Sequence, residues 1–187
     1  MTKKFWERFI SAAVLVTLAV AVAGLMFFKI AQHKIALSLR PPVLQRESKS
    51  APDLTYHTLE GAVRHTSASR GKVVFLDLWG TWCVQCVAEM PTVQTLYDHY
   101  RSDPDVEFLI VSRLDSPFAV RSYAYRNHLD LPFYVTEDED VPESMHLNQY
   151  PSTFIYARDG SIAAQHSGAG NWSDESVIQF IDNLKSQ

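Results

Sequence analysis

Two thiols carry the most reactive chemistry open to this chain. Cys83 and Cys86 are its only cysteines, and they sit three apart in WGTWCVQCVAEMP, residues 79–91. A thiolate at one position can attack a disulfide in another molecule, and the second thiol can then resolve the mixed disulfide. The short loop between them keeps the resolving thiol at high effective concentration. A zinc or iron–sulfur site normally needs four soft ligands, and the seven histidines are scattered singly, so neither a metal nor any other cofactor is expected. The plainer alternatives are two inert packed cysteines, or a structural disulfide, which gains little by closing so short a loop.

Such a pair needs a rigid platform. KVVFLDLW (72–79) is a mostly apolar run rich in β-branched and aromatic residues, bounded by Gly71 and Gly80, and it predicts a buried central strand. From Cys83 to about Tyr100 the apolar residues Cys86, Met90, Val93, Tyr97 and Tyr100 recur every three or four positions, which predicts a helix kinked at Pro91. Cys83 then lies at the helix N-terminus, where the partial positive charge stabilises a thiolate. Further along, VEFLIVS (106–112) reads as a second buried strand and PFAVRSYAYRNH (117–128) as a helix. LPFYV (131–135) reads as a short strand and VPESMHLNQ (141–149) as a short helix. STFIYARDGSIAAQHSG (152–168) predicts a hairpin turning at RDG, and SDESVIQFIDNL (173–184) a last helix capped by Ser173. The order is that of an α/β layered domain with a parallel start and an antiparallel end.

The 187 residues, 47% hydrophobic with a net charge of −4, suffice for one packed domain plus an extra segment. No basic patch points to nucleic acid. The extra segment is Phe9–Phe28, a charge-free run of twenty residues preceded by Lys3, Lys4 and Arg8. As a helix it would rise about 30 Å, the hydrocarbon thickness of a bilayer. It is expected to be a single-pass membrane anchor, with a cleaved signal peptide ending at the small-residue AVA (21–23) as the alternative. The expected organisation is a cytoplasmic tail and anchor over 1–31, a linker over 32–52 marked by Pro41-Pro42, and the folded domain over 53–187.

VVFLDLWGTWCVQCVAEMP resembles the active-site segment of thioredoxin-fold proteins. It is most similar to the membrane-tethered, extracytoplasmic thiol–disulfide oxidoreductases of the TlpA/ResA type, which typically read Trp-Ala-x-Trp-Cys-x-x-Cys-x-x-Glu-x-Pro here. The resemblance covers about 53–187 and implies a thioredoxin-like α/β fold, a central mixed sheet flanked by helices. It also implies a redox-active Cys83–Cys86 disulfide, with Cys83 as nucleophile and Cys86 as resolving cysteine. Trp82 takes the place of the aromatic residue that shields the pair. Pro151 takes that of the proline after a cis peptide bond, and Tyr150 beside it that of a backbone partner for a docked substrate strand. By itself Pro151 reads as a strand-start proline.

Two acids complete the candidate site. Asp77 lies in the apolar strand, where burial should raise its pKa, and it resembles the buried acid that serves the deeper cysteine of thioredoxin. Glu89 matches the glutamate of the TlpA/ResA motif. The bland readings are an outward strand residue for Asp77 and a solvated helix residue for Glu89. The chain departs from the pattern at Val84-Gln85 between the cysteines, at Gly80 in place of alanine, and at Ser152 where threonine is common.

The implied function is reduction of disulfides in cysteine-containing client proteins, such as apocytochrome c or metal-site assembly proteins. The domain would face the periplasm or extracytoplasmic side of a bacterial inner membrane, and a membrane thiol-shuttling reductase would supply electrons. A disulfide oxidase or isomerase is the second reading. It is disfavoured because 112–149 is too short for the helical insertion of DsbA-type oxidases. A copper-binding assembly factor of the Sco type, with His166 as a ligand, is the third, but the cysteine spacing does not fit. A peroxiredoxin-type peroxidase lacks its Thr-x-x-Cys arrangement, since Thr81 is only two before Cys83.

Overall fold

The structure is a computed structural model that describes residues 3–145 and 149–187. An eight-stranded mixed sheet in the order β1-β8-β7-β4-β5-β6-β2-β3 forms its centre. Strand β4 (Val73–Trp79) is the expected central strand, and all seven of its residues are buried. It runs parallel to β5 (Val106–Arg113) and antiparallel to β7 (Ser152–Tyr156). β6 (Phe133–Thr136) extends the parallel side, and β8 (Ser161–Ser167) closes the hairpin with β7. The thioredoxin-like α/β fold with a mixed sheet is thus the one expected.

Side chains alternate across a strand, so β4 feeds two cores. Val73, Phe75 and Trp79 pack with α2 (Val84–Tyr100), α3 (Pro117–Asn127) and α4 (Glu175–Lys185). Val74, Leu76 and Leu78 pack on the opposite face with Leu54, Tyr56 and Met145. Asp77 has the parity of Phe75 and Trp79, so it projects into the core that α2 covers.

Several boundaries differ from expectation. The last helix is capped by Asp174, whose carboxylate accepts from the Ser176 amide. Ser173 instead donates its hydroxyl to Asn171 Oδ1, leaving the cap to the stronger acceptor next in sequence. The expected helix at 141–149 is a 3-10 turn over Glu143–Met145, and 146–148 lie outside the described residues. Pro91 lies inside α2, which continues to Tyr100. A short hairpin of β2 (Thr55–Thr58) and β3 (Val63–His65), which sequence did not reveal, joins the sheet beside β6.

Helix α1 (Lys3–Ser38) contains the apolar run Phe9–Phe28, and its described side chains are exposed. Among the described residues no helix is long and apolar enough to cross a membrane; side chains in this run are described without a break only over 12–27. The expected linker 32–52 is not loose chain throughout. From Arg40 it lies along the domain: the Arg40 carbonyl accepts from the Asn171 amide at 2.9 Å, and Pro42 is buried. Leu44 packs against the α2-side core. The Glu47 amide then donates to the Ala163 carbonyl, and β1 (Lys49–Ser50) pairs with β8.

Candidate active site

β4 ends at Trp79, and the chain turns through Gly80, Thr81 and Trp82 to place Cys83 as the N-cap of α2. Cys83 and Cys86 form a disulfide, with Cα atoms 5.3 Å apart. The Cys86 amide donates to Cys83 Sγ at 3.2 Å. The first turn of α2 carries no acidic residue, so nothing there opposes the positive end of the helix. Cys83 is 9% exposed and Cys86 fully buried, so the two sulfurs differ in access as well as in electrostatics. That is the arrangement in which the outer thiol attacks and the inner one resolves.

Both acids are buried, Asp77 on β4 and Glu89 on α2 three residues after Cys86, as neither bland reading would have them. Asp77 is fully buried and accepts from Thr153 Oγ1 at 3.2 Å on one oxygen. Its other oxygen has no partner among the described residues. Burial pushes its pKa up to about 7. Glu89, one helical turn beyond Cys86, accepts from the Gly170 amide at 2.8 Å and from Trp172 Nε1 at 2.7 Å, both on Oε2. Its Oε1 is likewise unpartnered among the described residues. Burial, reinforced by the Asp77 charge, raises its pKa well above the ordinary carboxylate value. Asp77 is therefore an acid that can hold or release a proton near neutral pH, and Glu89 keeps its proton to higher pH than an ordinary carboxyl.

The outer rim is built differently. Trp82 is half exposed, and its indole N–H donates to the Arg113 carbonyl. The ring meets Tyr150 edge to face, with centroids 5.4 Å apart. Arg113 in turn lies over the Tyr150 ring and donates to the Tyr150 hydroxyl and to Asp138. The Tyr150–Pro151 peptide bond is cis, and Pro151 is buried at the start of β7. Sequence reasoning brought Trp82, Tyr150 and Pro151 to this rim but missed what fastens it. Asp115 accepts from the Thr81 amide and hydroxyl, both at 2.7 Å, and from Ser112 Oγ at 2.6 Å. It ties the loop after β5 to the loop before Cys83. Gly80, the departure from alanine, lies under the Trp82 indole: a Cβ there would meet the ring at 2.5 Å.

Among the described residues His166 belongs to no cluster of metal ligands. Its ring packs edge-on against Trp172, half-buried, with its pKa lowered by that burial. Among the described residues no group of three or more His, Cys, Asp or Glu could hold a metal ion. Trp172, Gly170 and Thr153, the partners of the two acids, were not legible because they lie 76–83 residues away in sequence.

The comparisons with known proteins agree with this geometry. The family model Redoxin matches residues 46–179. The thiol-disulfide oxidoreductase ResA of Geobacillus thermodenitrificans is 31% identical over 136 residues, 73% of this chain and 76% of that one. ResA of Geobacillus kaustophilus is 27% identical over 183 residues, 98% of this chain and 99% of its own length. Among solved structures, a Bacteroides vulgatus protein assigned as a thiol-disulfide oxidoreductase is 29% identical with a TM-score of 0.63, covering 72% of this chain and 94% of that one. With a disulfide of this spacing at the head of α2 and these relatives across the domain, the chain belongs to the Redoxin family, as a ResA/TlpA-like thiol–disulfide oxidoreductase of the thioredoxin superfamily.

Proposed function

We propose that the exchange runs in the reducing direction, from this protein to disulfides in client proteins outside the cytoplasm. The observation that carries the reading is the asymmetry of the pair: Cys83 reaches the surface at a helix N-terminus, whereas Cys86 is sealed above two acids. In the dithiol form the Cys83 thiolate attacks a client disulfide. A new S–S bond joins the two proteins, and the other client sulfur leaves as a thiolate. Cys86 gives its proton to the buried acid pair and attacks Cys83 Sγ. The second client thiolate departs, the client has gained two electrons, and the Cys83–Cys86 disulfide seen here remains. A dithiol donor then restores the pair by the reverse steps.

Trp82, Tyr150 and Pro151 form the surface against which the client segment lies, and Asp77 and Glu89 handle the proton. The clients of the favoured reading are apocytochrome c or metal-site assembly proteins, and the electron donor is a membrane thiol-shuttling reductase. The charge-free run Phe9–Phe28, flanked by Lys3, Lys4 and Arg8, supports a single-pass anchor in a bacterial inner membrane with the domain on the periplasmic side. Between β5 and β7 the chain holds α3, β6 and short 3-10 turns, and among the described residues of that stretch α3 is the only α-helix. That supports the reductant over an oxidase built with a helical insertion.

The test is the reduction potential of the Cys83–Cys86 couple in the full chain. A value below about −250 mV, toward that of thioredoxin, fits a reductant. A value near about −120 mV, that of a strong oxidant, reverses the direction. Protease accessibility in intact spheroplasts and membrane fractions tests the anchor and its orientation: a domain released as soluble protein, or protected inside, removes that part of the proposal.

A further inference from the structure

The segment that leaves α1 crosses the back of the acid site. We propose that Pro42 is a positioning residue for thiol–disulfide exchange, acting on Glu89 through the loop Gly170–Trp172. The inference rests on the reading of Glu89 as a proton-handling group and extends it to a part of the chain far from the cysteines.

Both donors to Glu89 come from one short loop, the Gly170 amide and the Trp172 indole, and both converge on the same oxygen. Two layers hold that loop. From inside, Thr92 of α2 donates its hydroxyl to the Gly170 carbonyl at 3.2 Å and accepts from the Trp172 amide at 3.1 Å. From outside, the Asn171 amide between them donates to the Arg40 carbonyl. The buried Pro42 ring reaches Gly170: its Cδ lies 3.5 Å from where a Cβ on that glycine would stand. Gly170 has no side chain of its own there; Thr92 and Trp172 hold it from inside, and the Pro42 ring closes it from outside. Proline suits the task because its φ is locked, so the segment meets the loop with little freedom left to lose. The pairing of β1 with β8 holds the far end of the segment in register.

The titratable groups around Glu89 are Asp77 on β4, the Cys83–Cys86 pair on α2, and His166 on β8 behind Trp172. Loosening Gly170 weakens a hydrogen bond to the anionic form of Glu89. The carboxyl then keeps its proton to higher pH, so near pH 7 a smaller fraction of it is free to accept one from Cys86. Burial holds His166 below its ordinary value, so a loosened Trp172 would move it upward too; the Glu89→Gln background separates the two, because an inflection of His166 persists there.

The experiment uses the full chain and follows reduction of a fluorescent disulfide-linked peptide by the dithiol form from pH 5 to 9. Pro42→Gly is expected to slow the reaction about fivefold near pH 7, roughly the worth of one hydrogen bond, and to move the inflection to higher pH. Pro42→Ala also removes the Cδ that faces Gly170 but leaves the segment less free than glycine does, so it should fall between. In a Glu89→Gln background Pro42→Gly should add no further slowing. An unmoved pH profile in both variants overturns the proposal, as does an equal drop with or without Glu89. If Glu89→Gln alone leaves rate and profile unchanged, the reading of Glu89 fails first, and the role of Pro42 goes with it.

Discussion

The two sides of the disulfide are made to opposite rules. Above Cys83 the rim is exposed, aromatic and held by contacts among loops: Trp82 against Tyr150, Tyr150 against Arg113, and Asp115 across Thr81 and Ser112. Below Cys86 the floor is sealed, and its two acids are each left with one oxygen unpartnered among the described residues. A rim of this kind can be altered without unfolding the protein, because its rings are partly solvated. The floor answers to burial instead, because a buried carboxylate with a free oxygen is costly to hold as a charge. The rim is thus placed for recognition and the floor for proton handling.

The sharpest way to break that contrast is to remove the sulfurs that join its halves. Cys83→Ser should abolish turnover, a loss of about a thousandfold or more, whereas Cys86→Ala should still attack and then accumulate mixed disulfides visible on non-reducing gels. Clients captured equally by both variants would show that the surface thiol is not the nucleophile.

Asp77→Asn tests the floor by stability. A buried carboxyl whose folded pKa is about 7 binds its proton more tightly than in the unfolded chain. Its contribution is thus intact at low pH and is lost as pH rises from about 4 to about 7. The asparagine variant should match the parent at pH 4 and exceed it at pH 8 by up to about 4 kcal/mol, measured by urea unfolding of the oxidised protein. A constant difference across that range would show that Asp77 does not titrate in the fold. In the exchange reaction, Asp77→Asn or Glu89→Gln should slow the resolving step about ten- to a hundredfold and flatten its pH profile, as expected for loss of general base catalysis.

Rim changes should be smaller and should depend on the client. Trp82→Ala is expected to alter the rate with a folded protein disulfide about three- to tenfold, the worth of one aromatic contact of about 1 kcal/mol, and to leave the rate with a small aliphatic disulfide nearly unchanged. Equal effects on both would make Trp82 part of the chemistry rather than of recognition. Gly80→Ala is the mildest. The new methyl pushes the indole aside and loosens its bond to the Arg113 carbonyl, a cost of about 1 kcal/mol, seen as a changed tryptophan emission with little loss of rate.

The same contrast explains what could be read in advance. The central strand, the helix it feeds and the two cysteines were legible because local patterns encode them: an apolar run, a helical repeat and a spacing of three. Asp77 stood out as a charge inside an apolar strand. The resemblance pointed to Glu89, but its partners Gly170 and Trp172 carry no local mark and meet it only through folding. The β2–β3 hairpin was missed because its strands are four and three residues long and mostly not buried, so no alternation could show. Residues 40–50 looked like linker because Pro41-Pro42 and a polar run read the same whether the chain is free or laid along a domain.

The two ends of the sheet have a consequence of their own. One edge is the two-residue β1 and the other the three-residue β3, whose Val63, Arg64 and His65 are exposed. Long unpaired edges invite other chains to add as further strands. A protein that handles other polypeptides meets such chains on every cycle, and β3 itself offers them a ladder of only three residues. The molecule can thus hold a partner by one sulfur and the rim beside it while its short outer strands give that partner's backbone little further to pair with.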